Sequence, residues 1–167
     1  CTEPAGPSRV GPPAFFRGTD MYEKPLPIQD HETAPFWSAL RDRRLLVKQC
    51  RDCSKFHFYP RILCPHCHSM RVDWAQVSGY GHIYTYTVAR RPAGPAFKDD
   101  VPYVVALVEL DEGSRMMTNI VCGHPDEVRI GERVLVEFVP VTEEVTLPKF
   151  RIVNSSGHRE ARSGELS

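Results

Sequence analysis

Two Cys-x-x-Cys pairs, Cys50-Arg51-Asp52-Cys53 and Cys64-Pro65-His66-Cys67, stand ten residues apart and restrict what this chain can fold into more than any other feature. A gap of two residues suits a tight turn that aims both sulfurs at one point. Four thiolates then close a tetrahedral shell about 2.3 Å from a zinc ion, with backbone amides left to soften the charge. Such a set fills every position, so the ion stabilises a fold rather than activating water. Two disulfides are the alternative, which a reducing compartment disfavours, and redox chemistry needs only one such pair. His57, His66 and His68 lie near enough in sequence to replace a sulfur, but the symmetric pairs need no replacement. The sequence therefore assigns Cys50, Cys53, Cys64 and Cys67 to one structural zinc ribbon, a donor set that also accepts iron. Cys1 and Cys122 stand outside it, and Cys122, after an apolar run, reads as a small buried side chain.

A chain of 167 residues has room for one ordinary domain or two small ones sharing a seam. Its 21 basic residues cancel 21 acidic ones, whereas a dedicated nucleic-acid binder usually carries a basic excess. Apolar stretches such as Tyr103 to Val108 fall far short of the ~20 residues that span a bilayer, and no signal-peptide pattern opens the chain. The expectation is a cytoplasmic protein without a membrane segment. Pro4, Gly6, Pro7, Gly11, Pro12 and Pro13 make residues 1–29 a linker or tail, and the polar stretch Asn154 to Ser167 reads as a second tail.

Between these ends the pattern is mainly β. Residues 30–47 hold a short amphipathic helix, with Phe36, Trp37 and Leu40 at helical spacing, Asp30 or Thr33 as N-cap and Pro35 in the first turn, followed by a lead-in strand Leu45 to Gln49. The ribbon occupies residues 48–77 and leaves through a strand at Val72 to Val77. From Gly79 the period becomes two, with His82, Tyr84, Tyr86 and Val88 read as one strand face. Tyr103 to Leu110, the turn Asp111-Glu112-Gly113-Ser114 and Met116 to Val121 read as a hairpin. A helical turn at Pro125 to Val128 precedes strands at Arg133 to Val139 and Lys149 to Val153. Five short strands with a helical connection after the third predict a Greek-key barrel of the OB type over residues 78–153.

This order of features, with Tyr59-Pro60-Arg61, Cys64-Pro65, Gly79-Tyr80-Gly81, Pro102-Tyr103, Glu109-Leu110-Asp111-Glu112-Gly113 and Ile130-Gly131, resembles the zinc-ribbon/OB-fold family known as domain of unknown function thirty-five. One departure is Ser54, where that family usually has glycine. The resemblance implies a rubredoxin-like zinc ribbon and an accessory subunit. Such a subunit docks on a thiolase-like acyl-CoA enzyme in a hetero-oligomer and helps it hold the CoA thioester that the two share. It further implies, for some relatives, a lipid-transfer-protein-like thiolase acting as a retro-aldolase on steroid side chains, and a fused enoyl-CoA hydratase-like domain to which the Pro-rich start is a linker.

The chain carries no Gly-x-Ser-x-Gly elbow, His-Glu-x-x-His pair or Gly-rich phosphate loop, so catalysis is expected of the partner. His82 and His124 read as structural or solvated. Arg90, Arg91, Phe97 and Lys98 lie in the long connection between the first two barrel strands, where guanidinium groups suit CoA phosphates and Phe97 suits stacking. The other reading of that stretch is a solvated basic loop, and Lys149 and Arg151 extend the same surface. Phe36, Trp37 and Leu40 either face a partner or cover the chain's own core. The alternative function is a single-stranded nucleic-acid-binding OB module, with Tyr84 and Tyr86 as its stacking platform.

Overall fold

The computed structural model describes residues 23–153. The Pro/Gly-rich stretch through Thr19, Cys1 and the polar stretch from Asn154 onward lie outside them. Residues 23–29 are laid against the barrel, with Lys24 Nζ 2.5 Å from Asp100 Oδ2. Helix α1 covers Ala34–Arg41 within the 30–47 segment and starts four residues after Asp30, because the chain first makes a turn. The Asp30 carboxylate accepts from the Thr33 amide and from Thr33 Oγ1, both at 2.7 Å. Thr33 then occupies the N-cap position and Pro35 the first turn, where a missing N–H costs nothing. The helix stops at Arg43, whose φ of 56° is left-handed, and Arg44 N–H donates back to Ala39 O.

Strands β1 (Leu46–Cys50), β2 (Phe56–His57) and β3 (Val72–Gln76) form an antiparallel sheet in the order β2-β1-β3. The two-residue β2 leaves no periodic trace in the sequence. Val47, on one side of β1, is fully buried, while Lys48 on the other lies 4.2 Å over the Trp74 ring.

The remaining strands close a barrel in the order β4-β5-β6-β8-β7. They are β4 (Tyr80–Ala89), β5 (Tyr103–Leu110), β6 (Arg115–Val121), β7 (Arg133–Pro140) and β8 (Thr146–Ile152). The β5–β6 turn uses Gly113 at a φ of 89°, as the hairpin requires. Inward residues alternate along β5 as Val104, Ala106, Val108 and Leu110, and Phe150 of β8 is fully buried among them. Phe36, Leu40, Leu45, Val47 and Val77 join the same cluster, so helix, ribbon and barrel share one core.

Three details differ from the sequence reading. A bulge between Ile83 and Thr85 reverses the parity of β4: Ile83 pairs with inward Val108, whereas after the bulge Tyr86 and Val88 pair with inward Ala106 and Val104. His82, Tyr84, Tyr86 and Val88 therefore do not share a face. Strand β8 begins at Thr146 rather than Lys149 and runs through Pro148. The Pro148 carbonyl, and with it the donorless nitrogen, faces β6, where Thr118 Oγ1 donates to that carbonyl at 2.9 Å. Finally, β8 meets β6 in parallel at only two positions, Ile120–Phe150 and Val121–Arg151.

Candidate functional site

The two knuckles bring four sulfurs together. Cys50 Sγ lies 3.6 Å from Cys67 Sγ and Cys53 Sγ 3.7 Å from Cys64 Sγ, and all four ligand atoms fall within 4.8 Å of one another. A tetrahedron with metal–sulfur bonds of about 2.3 Å has edges of about 3.8 Å, which the two short distances match, so the donor set fits a zinc ion. None of His57, His66 and His68 belongs to the cluster. Each knuckle turns by placing the residue after its second cysteine, Ser54 or His68, at a φ of 59°. The Cys64 sulfur also accepts from the His66 amide at 3.4 Å, the kind of bond that softens a thiolate.

Cys50 and Cys67 are shifted in opposite directions. The Cys53 backbone group is the largest influence holding Cys50 down at about 7. At Cys67 the Ser69 backbone group pulls the other way, but burial and the three neighbouring sulfurs push it up to about 12. Four sulfurs this close ionise together only around a cation. The first knuckle is clasped to β3 by reciprocal ion pairs, Arg51 with Asp73 and Arg71 with Asp52. Both are surface pairs, screened by solvent, and they orient the knuckle more than they stabilise the fold.

The basic loop is only partly assembled. Phe97 lies in the 3-10 helix Pro95–Asp100 and forms part of the wall of a cavity of about 580 Å³ that also includes Tyr103, Val121, Cys122 and Lys149. Lys24 Nζ stands 5.6 Å from the centre of the Phe97 ring. Arg90 pairs with Asp126, while Arg91 and Lys98 are exposed, and none of these three belongs to the cavity wall.

Phe36 and Leu40 are buried in the chain's own core; Leu40 is fully enclosed there, Phe36 keeps an edge on the wall of the second cavity described below, and Trp37 is packed only partly against the core. Burial by the barrel and ribbon, not by another protein, accounts for the apolar side of α1. Tyr84 is exposed with the Arg115 guanidinium 3.6 Å from its ring centre, whereas Tyr86 packs inward, so the two make no common platform. His82 sits beside Glu109 at 3.6 Å on the outer face, and His124 is exposed ahead of the 3-10 turn Pro125–Glu127. Burial pushes the Cys122 thiol up, as for an unreactive side chain. Among the described residues, no helix is long and apolar enough to cross a membrane.

A second cavity of about 560 Å³ lies between α1, the Phe58–Pro60 loop, β6 and β8, and shares Asn119, Leu147 and Lys149 with the first. The sequence reading passes over Ile28 and Met117 on its wall. The available signal is that Met117 holds an outward place on β6, directly after inward Met116, where alternation calls for a polar residue.

Comparison with known proteins places these elements in a family. Residues 37–73 match the rubredoxin-like zinc ribbon domain of ChsH2, and residues 74–139 match the ChsH2 C-terminal OB-fold domain. A probable enoyl-CoA hydratase alpha subunit of Thermomonospora curvata is 41% identical over 128 residues, 77% of this chain and 40% of its own length. A DUF35 domain-containing scaffold protein of Methanothermobacter thermautotrophicus is 39% identical over 68% of this chain and 86% of its own length. The 3-oxo-4,17-pregnadiene-20-carboxyl-CoA hydratase alpha subunit of Mycobacterium tuberculosis is 29% identical over 82% of this chain and 42% of its own length. The chain thus spans about two fifths of the two hydratase subunits. Among solved structures, a chain of the Ltp2-ChsH2(DUF35) aldolase superimposes with a TM-score of 0.67 at 40% identity, covering 76% of this chain and 98% of that one. With ribbon and barrel matched in order, and a scaffold relative covered over 86% of its length, this chain belongs to the ChsH2-type DUF35 family of zinc-ribbon/OB-fold proteins.

Proposed function

We propose that this chain is a non-catalytic accessory subunit that docks on a thiolase-like acyl-CoA enzyme, a retro-aldolase of steroid side-chain degradation, and helps it hold the CoA thioester. The observation that carries this reading is the match along 98% of a chain whose structure is described as an Ltp2-ChsH2(DUF35) aldolase. The relative named for a pregnadiene carboxyl-CoA supports a steroid thioester as the shared substrate. The longer hydratase relatives support a fused hydratase-like domain in the whole protein.

Cys50, Cys53, Cys64 and Cys67 would hold one zinc ion, which would supply a cross-link between the knuckles and, with four sulfurs bound, leave no open position for substrate. Arg91 and Lys98 offer cations to the CoA phosphates, joined by Arg90 when it leaves Asp126, and Phe97 with its cavity offers apolar cover.

The test is to produce this chain with Ltp2, isolate the pair and assay cleavage of a panel of steroid side-chain acyl-CoA thioesters. Activity that needs both proteins is expected. Equal activity of Ltp2 without the chain, or recovery of the chain with single-stranded nucleic acid alone, would remove the accessory role.

A further inference from the structure

Away from their two-residue closure, β6 and β8 are not joined by backbone pairing, and the 560 Å³ groove opens beside them. Its surroundings are apolar to an unusual degree for solvent-facing positions. Ile28 is 91% exposed, Met117 73% and Tyr59 58%, and all three belong to this one groove. Single exposed apolar side chains are ordinary, but three large ones on a common groove mark a surface that another molecule covers.

Lys149 is the one charged residue of the groove wall. No carboxylate among the described residues forms an ion pair with it, its cross-strand neighbour Glu137 included. Lys149 is part-buried on a wall that is otherwise uncharged, and a cation with no partner there is best met by an anion, so the groove is complementary to an apolar segment that carries a carboxylate. Pro27, Pro60 and Pro148 stiffen the walls and offer no backbone donor, while the thioether of Met117 adapts to whatever packs on it.

We propose that this groove seats an apolar segment of the thiolase-like partner subunit, with a carboxylate of that segment on Lys149. The assignment rests on the accessory-subunit reading and names the surface that reading needs. Docking shifts from the buried side of α1 to its edge, where Trp37 shares the groove wall with the ribbon loop and β6.

The test is calorimetric titration of the full chain with purified Ltp2 at low and high salt, using variants whose zinc content and melting temperature match the parent. Ile28→Asp and Met117→Asp, at exposed positions that the fold tolerates, are each expected to weaken binding more than tenfold. Lys149→Glu is expected to weaken it more than Lys149→Met, and Lys149→Met is expected to flatten the salt dependence. Ile130→Asp, exposed but outside the groove, is expected to bind as the parent does. Groove variants that bind within twofold of the parent would overturn the groove assignment and leave the accessory reading standing. A parent chain that does not bind Ltp2 would overturn that reading, and the groove's occupant with it.

Discussion

Ser54 and His68 each close a metal knuckle in the left-handed region, at a φ of 59°. An L-residue there carries a strain of about 1–2 kcal/mol that glycine avoids, which explains glycine as the usual residue after the first knuckle in this family. Ser54→Gly is expected to raise the stability of the zinc-loaded protein by up to about 1 kcal/mol, the freer unfolded chain offsetting the rest. A melting temperature unchanged or lowered at saturating zinc would contradict this. His57 makes a different prediction. It is 5% exposed, and burial is the main influence pushing its imidazole pKa below the ordinary value; the Arg61 backbone group opposes, and His66 and Lys48 add to the shift. As pH falls below about 6.5 the unfolded chain takes up a proton that the folded chain refuses, so stability declines with acidity. His57→Leu is expected to show a shallower decline than the parent just below that pH, read from urea midpoints. Parallel curves would show that His57 does not titrate in this window.

At the scale of elements, β4 is held by close backbone approach. A Cβ on Gly81 would stand 2.4 Å from Glu109 O and 3.0 Å from Val108 Cγ1, both in the paired strand β5. Gly81→Ala is therefore expected to cost about 2 kcal/mol or more, measured by denaturant unfolding. A loss below about 0.5 kcal/mol would mean that the β4–β5 pair can spread. The same strand shows where sequence reasoning stops. The cysteine spacing, the Gly113 hairpin and the alternation of β5 are local signals, and the zinc ribbon and barrel were legible from them. The bulge at Tyr84 is not local: it depends on how β4 bends between β5 and β7, and it sends Tyr84 outward and Tyr86 inward. Pro148 concealed the true start of β8, because only the neighbouring β6 shows that its nitrogen needs no acceptor. The groove around Lys149 is assembled from segments as far apart as Ile28 and Met117, which no window along the chain brings together.

At the scale of the whole molecule, the ribbon and barrel are one body, because Val47 and Val77 belong to the same buried cluster as Val104 and Phe150. Removing the metal with a chelator is expected to strip hydrogen-exchange protection first from β1 and β3 and then to loosen this common core, while the β5–β6 hairpin stays protected longest. Full protection after complete metal removal would end the structural role assigned to the four cysteines. The late position of β8 also sets an order of manufacture. On a ribosome adding about 5–20 residues each second, the cysteines emerge and can take up metal well before Phe150 exists. The nascent protein thus passes through a stage with a finished ribbon and an unfinished barrel. The inner faces of β5 and β6 stand open then, and a chain truncated within β8 would be held at that stage as a client for chaperones and proteases.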